Sequence, residues 1–379
     1  MEVCLYNPFL LFKNSRLVEL AEKTPSTRDR YVDFLRAFSI TAVIIGHWIS
    51  AVIRFQGGGI LTYNAVGTIP GMWILTWIMQ VMPIFFFVGG FSNFVSIEAL
   101  RCRGQSSAAF YRKRAVRLLK PTLIFVITWA LILGFVALFV ENAGMYIRKS
   151  TVVIGPLWFL VVYLGIVVVT PLMVWLHQKI RLGTLVILAS FIILIDVISF
   201  GLGLSWLRWT NVAFVWLLVH QIGFFYADGS LVSRPKIFYV AMMIIGLAGL
   251  VVLTNIGSYP KSMVGTGVEE ISNMNPPTVC IAVLTIWLIG LAMFLRRPLS
   301  RWLARRQPWI VVIAANTMIM TLYLWHLTAF AIVFFLIYPL GLWRLADGSL
   351  LWWLARPVWI ILPALVLSIF IGIFSRFER

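Results

Sequence analysis

The chain consists largely of apolar segments that are each long enough to cross a lipid bilayer. A helix needs about 20 predominantly apolar residues to span a hydrocarbon core of about 30 Å. Hydrophobic residues make up 61% of the 379 residues, charged residues make up only 12%, and the mean hydropathy is +0.96. The segments are separated by short polar links. This pattern predicts an all-α polytopic membrane protein and leaves no soluble domain of ordinary size.

Ten of these segments are predicted to be transmembrane helices. Their approximate limits are 35–53, 72–95, 121–140, 156–176, 184–203, 211–227, 237–255, 278–295, 314–338 and 357–375. The fifth ends in the glycine-rich stretch SFGLGLSW (199–206). The ninth belongs to an apolar run (310–341) that is too long for one straight helix. We therefore expect a kink or a re-entrant start in the ninth span.

The net charge of +18 follows a topological pattern. Most of the 31 Lys and Arg residues fall in alternate links, which the positive-inside rule assigns to the cytoplasm together with both chain ends. The remaining links are short and poor in basic residues. We therefore expect a multi-pass protein of the cell inner membrane, with the lipid bilayer and not nucleic acid as its partner, and with both termini in the cytoplasm. The sequence does not indicate an oligomeric state.

Residues 1–30 precede the first span and are rich in basic side chains. Their apolar stretch VCLYNPFLLF (3–12) comes before most of that charge, is too short to span a bilayer, and lacks a small-residue cleavage site, unlike a cleaved signal peptide. We predict that 1–30 form a cytoplasmic arm on the anionic leaflet and that 31–379 form a single transmembrane domain.

The cysteine positions predict neither disulfides nor a metal site. The three cysteines are scattered along the chain, at Cys4, Cys102 and Cys280. Neither a disulfide framework nor the spacing of metal ligands is present. We therefore predict chemistry that uses no metal ion.

The first span carries an arginine and a histidine on one helical face. At about 100° and 1.5 Å per residue, the eleven positions from Arg36 to His47 return to nearly the same face roughly 16 Å further along the axis. Ionisable groups inside a span are costly and usually functional. Arg36 could hold the anionic tail of a substrate while His47 takes a proton at its reactive head. Alternatively, Arg36 only pairs with Asp33 at the interface and His47 hydrogen-bonds a neighbouring helix.

A second basic group lies in AAFYRKRAVRLLKP (108–121), the segment that leads into the third span. Arg114 and Arg117 are three residues apart on a predicted helical lead-in, so both guanidinium groups can converge on one cluster of phosphates. The alternative is an ordinary basic loop whose arginines meet lipid headgroups.

Five further polar residues lie in or near the spans. His326, in LYLWHL, is a candidate for the active or acceptor site, with Tyr323 one turn away as its partner, although it could equally form a structural interhelical hydrogen bond. His220 is predicted to pack between helices and His177 to be solvated at the interface. Asp196 must be protonated, paired or facing a cavity.

Five motifs together resemble the membrane-bound acyltransferase family 3, the O-acyltransferases of bacterial envelope sugars and related substrates. They are, in chain order, YVDFLRAFSITAVIIGHW (31–48), MPIFFFVGGFSN (82–93), YRKRAVRLLKP (111–121), GPLWFLVVYL (155–164) and YLWHL (323–327). The most specific is the arginine, ten residues, histidine signature of the first span. The resemblance extends over about 28–375, and no SGNH-type esterase domain is appended, which is typical of the transmembrane-only branch.

The resemblance implies an enzyme that moves an acyl group, commonly acetyl, from cytoplasmic acyl-coenzyme A to a hydroxyl group. The family's first-span arginine and histidine match Arg36 and His47, and its R-x-x-R pair matches Arg114 and Arg117. His47 is then the expected general base, and the three arginines are expected to bind the acyl-CoA. An envelope glycan or glycolipid is the expected acceptor. The expected accessory residues are Asp33, Tyr323 and His326.

Two other protein classes share this composition. A secondary transporter or carrier also has many spans, broken helices and buried ionisable groups. It would not need the basic pair Arg114 and Arg117. A non-catalytic membrane subunit would tolerate the loss of His47.

Overall fold

The computed structural model describes residues 15–25, 27–56, 59–141 and 143–378, and the protein is 79% helical. The helices of this described part are α1 Ser15–Glu22, α2 Arg30–Ser50, α3 Trp73–Met79, α4 Met82–Cys102, α5 Ser107–Phe139, α6 Ala143–Ile154, α7 Leu157–Ile180, α8 Leu182–Leu202, α9 Asn211–Ala227, α10 Lys236–Asn255, α11 Val279–Leu303, α12 Arg306–Thr317, α13 Ile319–Ile337 and α14 Leu350–Phe374. Strands β1 Ala51–Gln56 and β2 Gly59–Asn64 pair in an antiparallel hairpin. The first 14 residues of the predicted arm, with Cys4, lie outside the described residues.

The prediction of ten transmembrane helices is confirmed. Ten helical segments within the described ranges are long and apolar enough to cross a membrane, and each overlaps one predicted span. The two ends of the described chain lie on the same side, because α1 packs on α12 through the Glu22–Arg306 ion pair and Glu378 accepts a hydrogen bond from the amide of Thr321. We call this side the inner side, which the basic links assign to the cytoplasm, and the opposite side the outer side.

The ninth apolar run is interrupted, as predicted. Helix α12 ends at Thr317 and α13 begins at Ile319, with Met318 outside helical geometry between them. Just before the break, the side-chain amide of Asn316 donates a hydrogen bond of 2.9 Å to the backbone oxygen of Asp33 in α2. Broken helices inside a membrane protein are tolerated where protein groups satisfy the backbone or line a cavity. The interruption thus places a polar side chain against the first span.

Helix α5 begins well before the predicted third span. It is 33 residues long and includes the basic segment, so Arg114 and Arg117 lie on a helix, as the sequence predicts. Pro121 lies inside this helix. The segment after α2 was predicted only as a short outer link, and its β-hairpin was missed.

Helices α4 and α9 pack with their backbones in contact at two glycines. A Cβ atom at Gly90 would overlap the carbonyl oxygen of His220, and one at Gly223 would overlap the carbonyl oxygen of Phe87. Small residues allow this close approach between membrane helices. The motif MPIFFFVGGFSN (82–93) therefore allows α4 and α9 to pack closely through Gly90.

We expect Gly90→Ala to lower the thermal unfolding temperature by about 1–4 °C. The backbone oxygen of His220 cannot move aside alone, and overpacking of this kind typically costs about 1–3 kcal/mol. The control is Gly165→Ala in α7, where an added Cβ meets nothing within 4 Å and alanine is the better helix former. Thermal unfolding in detergent, measured by tryptophan fluorescence, should show an unchanged or higher unfolding temperature for the control. Equal melting of both variants would contradict the packing argument.

The hairpin is attached to the link before α14 by a partly buried polar cluster. Arg54 donates hydrogen bonds of 2.8 Å to the Tyr63 hydroxyl and 2.7 Å to Asp347 Oδ1, and the Tyr63 hydroxyl donates one of 2.7 Å to Asp347 Oδ2. Burial raises the pKa of Asp347, but the hydrogen bonds from Tyr63 and Arg54 outweigh it and hold the pKa below its ordinary value. The cluster therefore fixes the outer hairpin in place.

We expect Asp347→Asn to increase hydrogen exchange of the hairpin amides at neutral pH, because Arg54 and Tyr63 lose a charged acceptor. Folding lowers the pKa of Asp347, so its contribution is complete above the ordinary value of 3.8 and is lost as the pH falls through the lower folded value. Hydrogen exchange is measured by mass spectrometry and corrected for intrinsic rates. The wild-type hairpin should exchange as fast as that of Asp347→Asn only in strong acid. Glu98→Gln, in an exposed pair with Arg101, is the control. Unchanged exchange in Asp347→Asn would disprove this role.

Candidate active site

Three of the predicted arginines meet at one cavity on the inner side of the bundle. We call it the arginine cavity, and its lining comes from α2, α4, α5, α7 and α13. The lining residues are Arg36, Phe85, Gly89, Ser92, Arg114, Arg117, Leu118, Phe159, Leu160, Tyr163, Ile319, Met320 and Tyr323. No acidic side chain is part of this lining within the described chain. Of the three guanidinium groups only that of Arg36 forms an ion pair within the described residues, with Asp33, so the cavity keeps a net positive charge that favours a multiply charged anion.

Asp33 orients Arg36 toward the cavity. Asp33 is buried and forms ion pairs with Arg36 Nη1 at 2.8 Å and with Arg28 Nε at 2.6 Å. The other terminal nitrogen of Arg36 donates a 2.7 Å hydrogen bond to Ser92 Oγ, and Asn316 Oδ1 lies 3.4 Å from Nη1. The arginine therefore pairs with Asp33 and lines the cavity at the same time.

Arg114 and Arg117 approach the cavity from α5. Arg114 donates hydrogen bonds of 2.8 Å to the backbone oxygen of Ser92 and 2.9 Å to Ser96 Oγ. Arg117 is exposed to solvent where it lines the cavity. Two neutral serines thus hold Arg114 beside Arg36, and the adjacent positive charges remain available for a ligand.

His47 and His326 contact each other deeper in the bundle. His47 Nδ1 lies 2.9 Å from His326 Nε2, and the two rings are nearly parallel at 9°. His326 Nδ1 lies 2.7 Å from the backbone oxygen of Tyr323. The indole of Trp48 donates a 3.0 Å hydrogen bond to the backbone oxygen of His326, which joins α2 and α13 at this level.

This chain of contacts determines which nitrogens carry protons when both rings are neutral. The carbonyl oxygen of Tyr323 can only accept, so His326 Nδ1 must donate to it. His326 Nε2 then has a lone pair and accepts the proton of His47 Nδ1. The remaining nitrogen, His47 Nε2, is left with a free lone pair, and His47 is only partly buried. A neutral imidazole with one nitrogen anchored and the other unprotonated is the form that accepts a proton.

The arginine level and the histidine level of the site are each formed by α2 together with the α12–α13 segment, which runs parallel to α2. Asn316 is level with Arg36, and His326 is level with His47, as the contacts above require. The rise of a helix puts roughly 16 Å between the arginine and the histidine of α2. Tyr323 connects the two levels, because it lines the arginine cavity and its backbone oxygen accepts from His326.

The sequence comparison identifies the family. Residues 29–376 match the family described as an acyltransferase domain, Acyl_transf_3. The chain belongs to the acyltransferase 3 family. No match was found among curated proteins or among solved structures. The protein is therefore an enzyme that transfers acyl groups, and the arginine cavity and the histidine pair are to be interpreted as parts of an acyltransferase.

Tyr323 contacts His326 through its backbone and not through its phenol. The Tyr323 hydroxyl donates to the backbone oxygen of Pro156 instead. The residue therefore positions the histidine by means of the helix itself. Within the described residues of the acyltransferase, no group of three His, Cys, Asp or Glu side chains could hold a metal ion.

Two other polar residues of the spans, His220 and Asp196, do not line the arginine cavity. His220 Nε2 is 3.1 Å from Asn93 Nδ2 between α9 and α4, the packing position that was predicted. Asp196 is paired, and accepts hydrogen bonds from Asn211, Tyr259 and the amide of Val279.

The prediction that His177 is solvated was wrong. The side chain is only 3% exposed. Its Nε2 lies 3.2 Å from Asp228 Oδ2, and its Nδ1 lies 2.9 Å from Gln221 Nε2. Asp228 follows the end of α9, where it can approach the ring from the interface, so the histidine is covered although it lies near the helix end.

Sequence reasoning missed several residues of the site. Ser92 appeared only as part of the motif MPIFFFVGGFSN, while Ser96, Tyr163 and Asn316 were not singled out. Asn316 was detectable in principle, since it is a polar residue inside the apolar run that was expected to be kinked or re-entrant. Ser96 and Tyr163 carry no such signal, because isolated Ser and Tyr residues are common in membrane helices.

Proposed function

We propose that this acyltransferase transfers an acyl group, acetyl in the first instance, from cytoplasmic acyl-coenzyme A to a hydroxyl group of a cell-envelope glycan or glycolipid. The reaction takes place in the inner membrane of the cell, within a single transmembrane domain, and His47 is the general base. The observation that carries this proposal is the order of hydrogen bonds from Tyr323 through His326 to His47, which leaves His47 Nε2 unprotonated.

The arginine cavity supports acyl-CoA as the donor. Coenzyme A carries several phosphate charges, and charge-assisted hydrogen bonds from guanidinium groups suit phosphates. Arg36, Arg114 and Arg117 supply such donors on the inner side. A pantetheine arm reaches roughly 15 to 20 Å, which is comparable with the helical rise from Arg36 to His47. Phosphates held by the arginines would thus place the thioester beside the histidines.

The transfer of the acyl group needs no reactant other than acyl-CoA, the acceptor hydroxyl and the two histidines. The acceptor oxygen forms a bond to the thioester carbonyl carbon as His47 Nε2 removes the hydroxyl proton. The carbon–sulfur bond then breaks, and the imidazolium returns the proton to the coenzyme A thiolate. His326 Nε2 accepts the hydrogen bond from His47 Nδ1 throughout, which stabilises the positive charge that develops on His47. Asp33 takes no part in the chemistry and keeps Arg36 in position.

The test is transfer of label from [14C]acetyl-CoA by the purified protein in liposomes that contain envelope lipids and glycans. We expect labelled ester product and release of one free thiol per ester formed. Mass spectrometry of the product identifies the acceptor. Uptake of a solute into the liposomes without thiol release would favour a carrier and would overturn the proposal.

A further inference from the structure

A second large cavity lies on the outer side of the acyltransferase, between α5, α6, α13 and the hairpin. Its volume is about 620 Å³, within the range of cavities that bind organic ligands. Its walls are mostly aliphatic and aromatic, and include Trp129 and Val136 from α5 and Phe330 and Ala331 from α13. We call it the outer cavity. It is separate from the arginine cavity, with which it shares no lining residue.

Both histidines lie within one helical turn of the outer cavity. Ala51, which lines it, follows His47 by four residues, and its amide donates a hydrogen bond to the His47 backbone oxygen. Leu327, also in the lining, directly follows His326, and Phe330 is one turn further on. Four residues of helix rise about 6 Å. The histidine pair therefore lies between the two cavities, with the arginines on one side and apolar walls on the other.

The outer cavity is continuous with the surface that faces lipid. The rim of the cavity includes Ile132 on α5 and Phe335 on α13, whose side chains are 40% and 52% exposed. Only 6% of the apolar window of α5 is buried in the protein, so this helix faces the hydrocarbon region along most of its length. A ligand can thus enter sideways from the bilayer.

The wall of the outer cavity also carries one cation. Lys149 of α6 is its single charged lining residue in the described part of the chain, and Thr62 and Tyr63 of the hairpin belong to the same lining. No carboxylate of the described residues lies within ion-pair distance of Lys149. An apolar cavity with a lone cation and a lateral opening is complementary to a lipid with a negatively charged headgroup.

We propose that the outer cavity is the acceptor site and that the acceptor is an anionic lipid that enters from the outer leaflet. Its hydrocarbon chain lies between α5 and α13, its negative charge meets Lys149, and its hydroxyl reaches His47 Nε2. This inference rests on the function proposed above, because the bonds formed and broken are the same and the lipid hydroxyl is the attacking group. It adds the chemical class of the acceptor and the place where it binds.

The test uses Val136→Trp, which fills the outer cavity, and Val186→Trp on the lipid-facing surface of α8 as the matched control. The probes are a phosphatidylglycerol and a phosphatidylcholine that each carry an alkyl diazirine near the chain end. After irradiation in nanodiscs, we expect the anionic probe to label α13 around Leu327 and Phe330 at least about threefold more than the zwitterionic probe. Val136→Trp should abolish that labelling and Val186→Trp should not.

Activity provides the second readout. Val136→Trp should lose ester formation on the lipid acceptor by at least about tenfold and keep the wild-type Kd for acetyl-CoA, while Val186→Trp keeps both. Equal labelling by the two probes, or full transfer in Val136→Trp, would overturn the assignment. A change in preference only for the donor's acyl length would also overturn it and would assign the cavity to the donor chain. If the wild type transfers acetyl normally while the probe labelling fails, this inference falls and the proposed function stands.

Discussion

Replacing His47 by glutamine should reduce acyl transfer by about 10²- to 10⁴-fold, the usual contribution of a general base. The glutamine side chain can still donate a hydrogen bond to His326 Nε2, so the contact between α2 and α13 is kept. It cannot accept the hydroxyl proton at neutral pH. The initial rate of thiol release from acetyl-CoA in the presence of acceptor measures the effect.

A matched substitution separates lost chemistry from lost structure. His220→Gln likewise replaces an intramembrane histidine that contacts one polar side chain, Asn93, but His220 lines neither cavity. We expect the transfer rate of His220→Gln to stay within about threefold of the wild type. This substitution changes helix packing and leaves the proposed base in place. The Kd of acetyl-CoA for His47→Gln should also be unchanged. Wild-type transfer by His47→Gln would eliminate the proposed base.

Replacing Arg117 by alanine should raise the Kd of acyl-CoA by about 10- to 100-fold. A hydrogen bond to a charged partner contributes about 1.5–3 kcal/mol, which corresponds to roughly a 10- to 100-fold change in Kd. Arg117 is the best of the three arginines to test, because it is exposed, whereas Arg36 is paired with the buried Asp33 and its loss would disturb the fold. Isothermal titration with acetyl-CoA measures the change.

The control for this prediction is Arg112→Ala. Arg112 lies on the same helix and is exposed, but it does not line the arginine cavity. Arg112→Ala removes the same charge from the same helix, so it corrects for the general attraction between a basic surface and an anion. The affinity of Arg117→Ala for acetyl-CoA should also depend less on salt than that of the wild type. Equal weakening by Arg112→Ala would show that the arginines act only as a diffuse positive surface.

The parts of the fold that were predicted correctly are those that a single helix decides. Each span must satisfy its own backbone hydrogen bonds in lipid, so length and hydropathy are sufficient to find it. That the ninth apolar run is interrupted follows from its length, although the position of the break does not, and the placement of Arg36 and His47 on one face follows from helical periodicity. The helical lead-in that carries Arg114 and Arg117 is local in the same sense. These features required no knowledge of neighbouring helices.

Contacts between distant segments were decided only by the tertiary structure. His326 meets His47 across 279 positions of sequence, and Asn316 meets Arg36 across 280. The burial of His177 by Asp228 and the attachment of the hairpin to Asp347 belong to the same group. In lipid, apolar helix faces differ little in hydrophobicity, so shape and a few hydrogen bonds select which faces meet. A linear pattern determines that a helix forms and where its polar face lies, while its partner depends on the packing of the whole bundle.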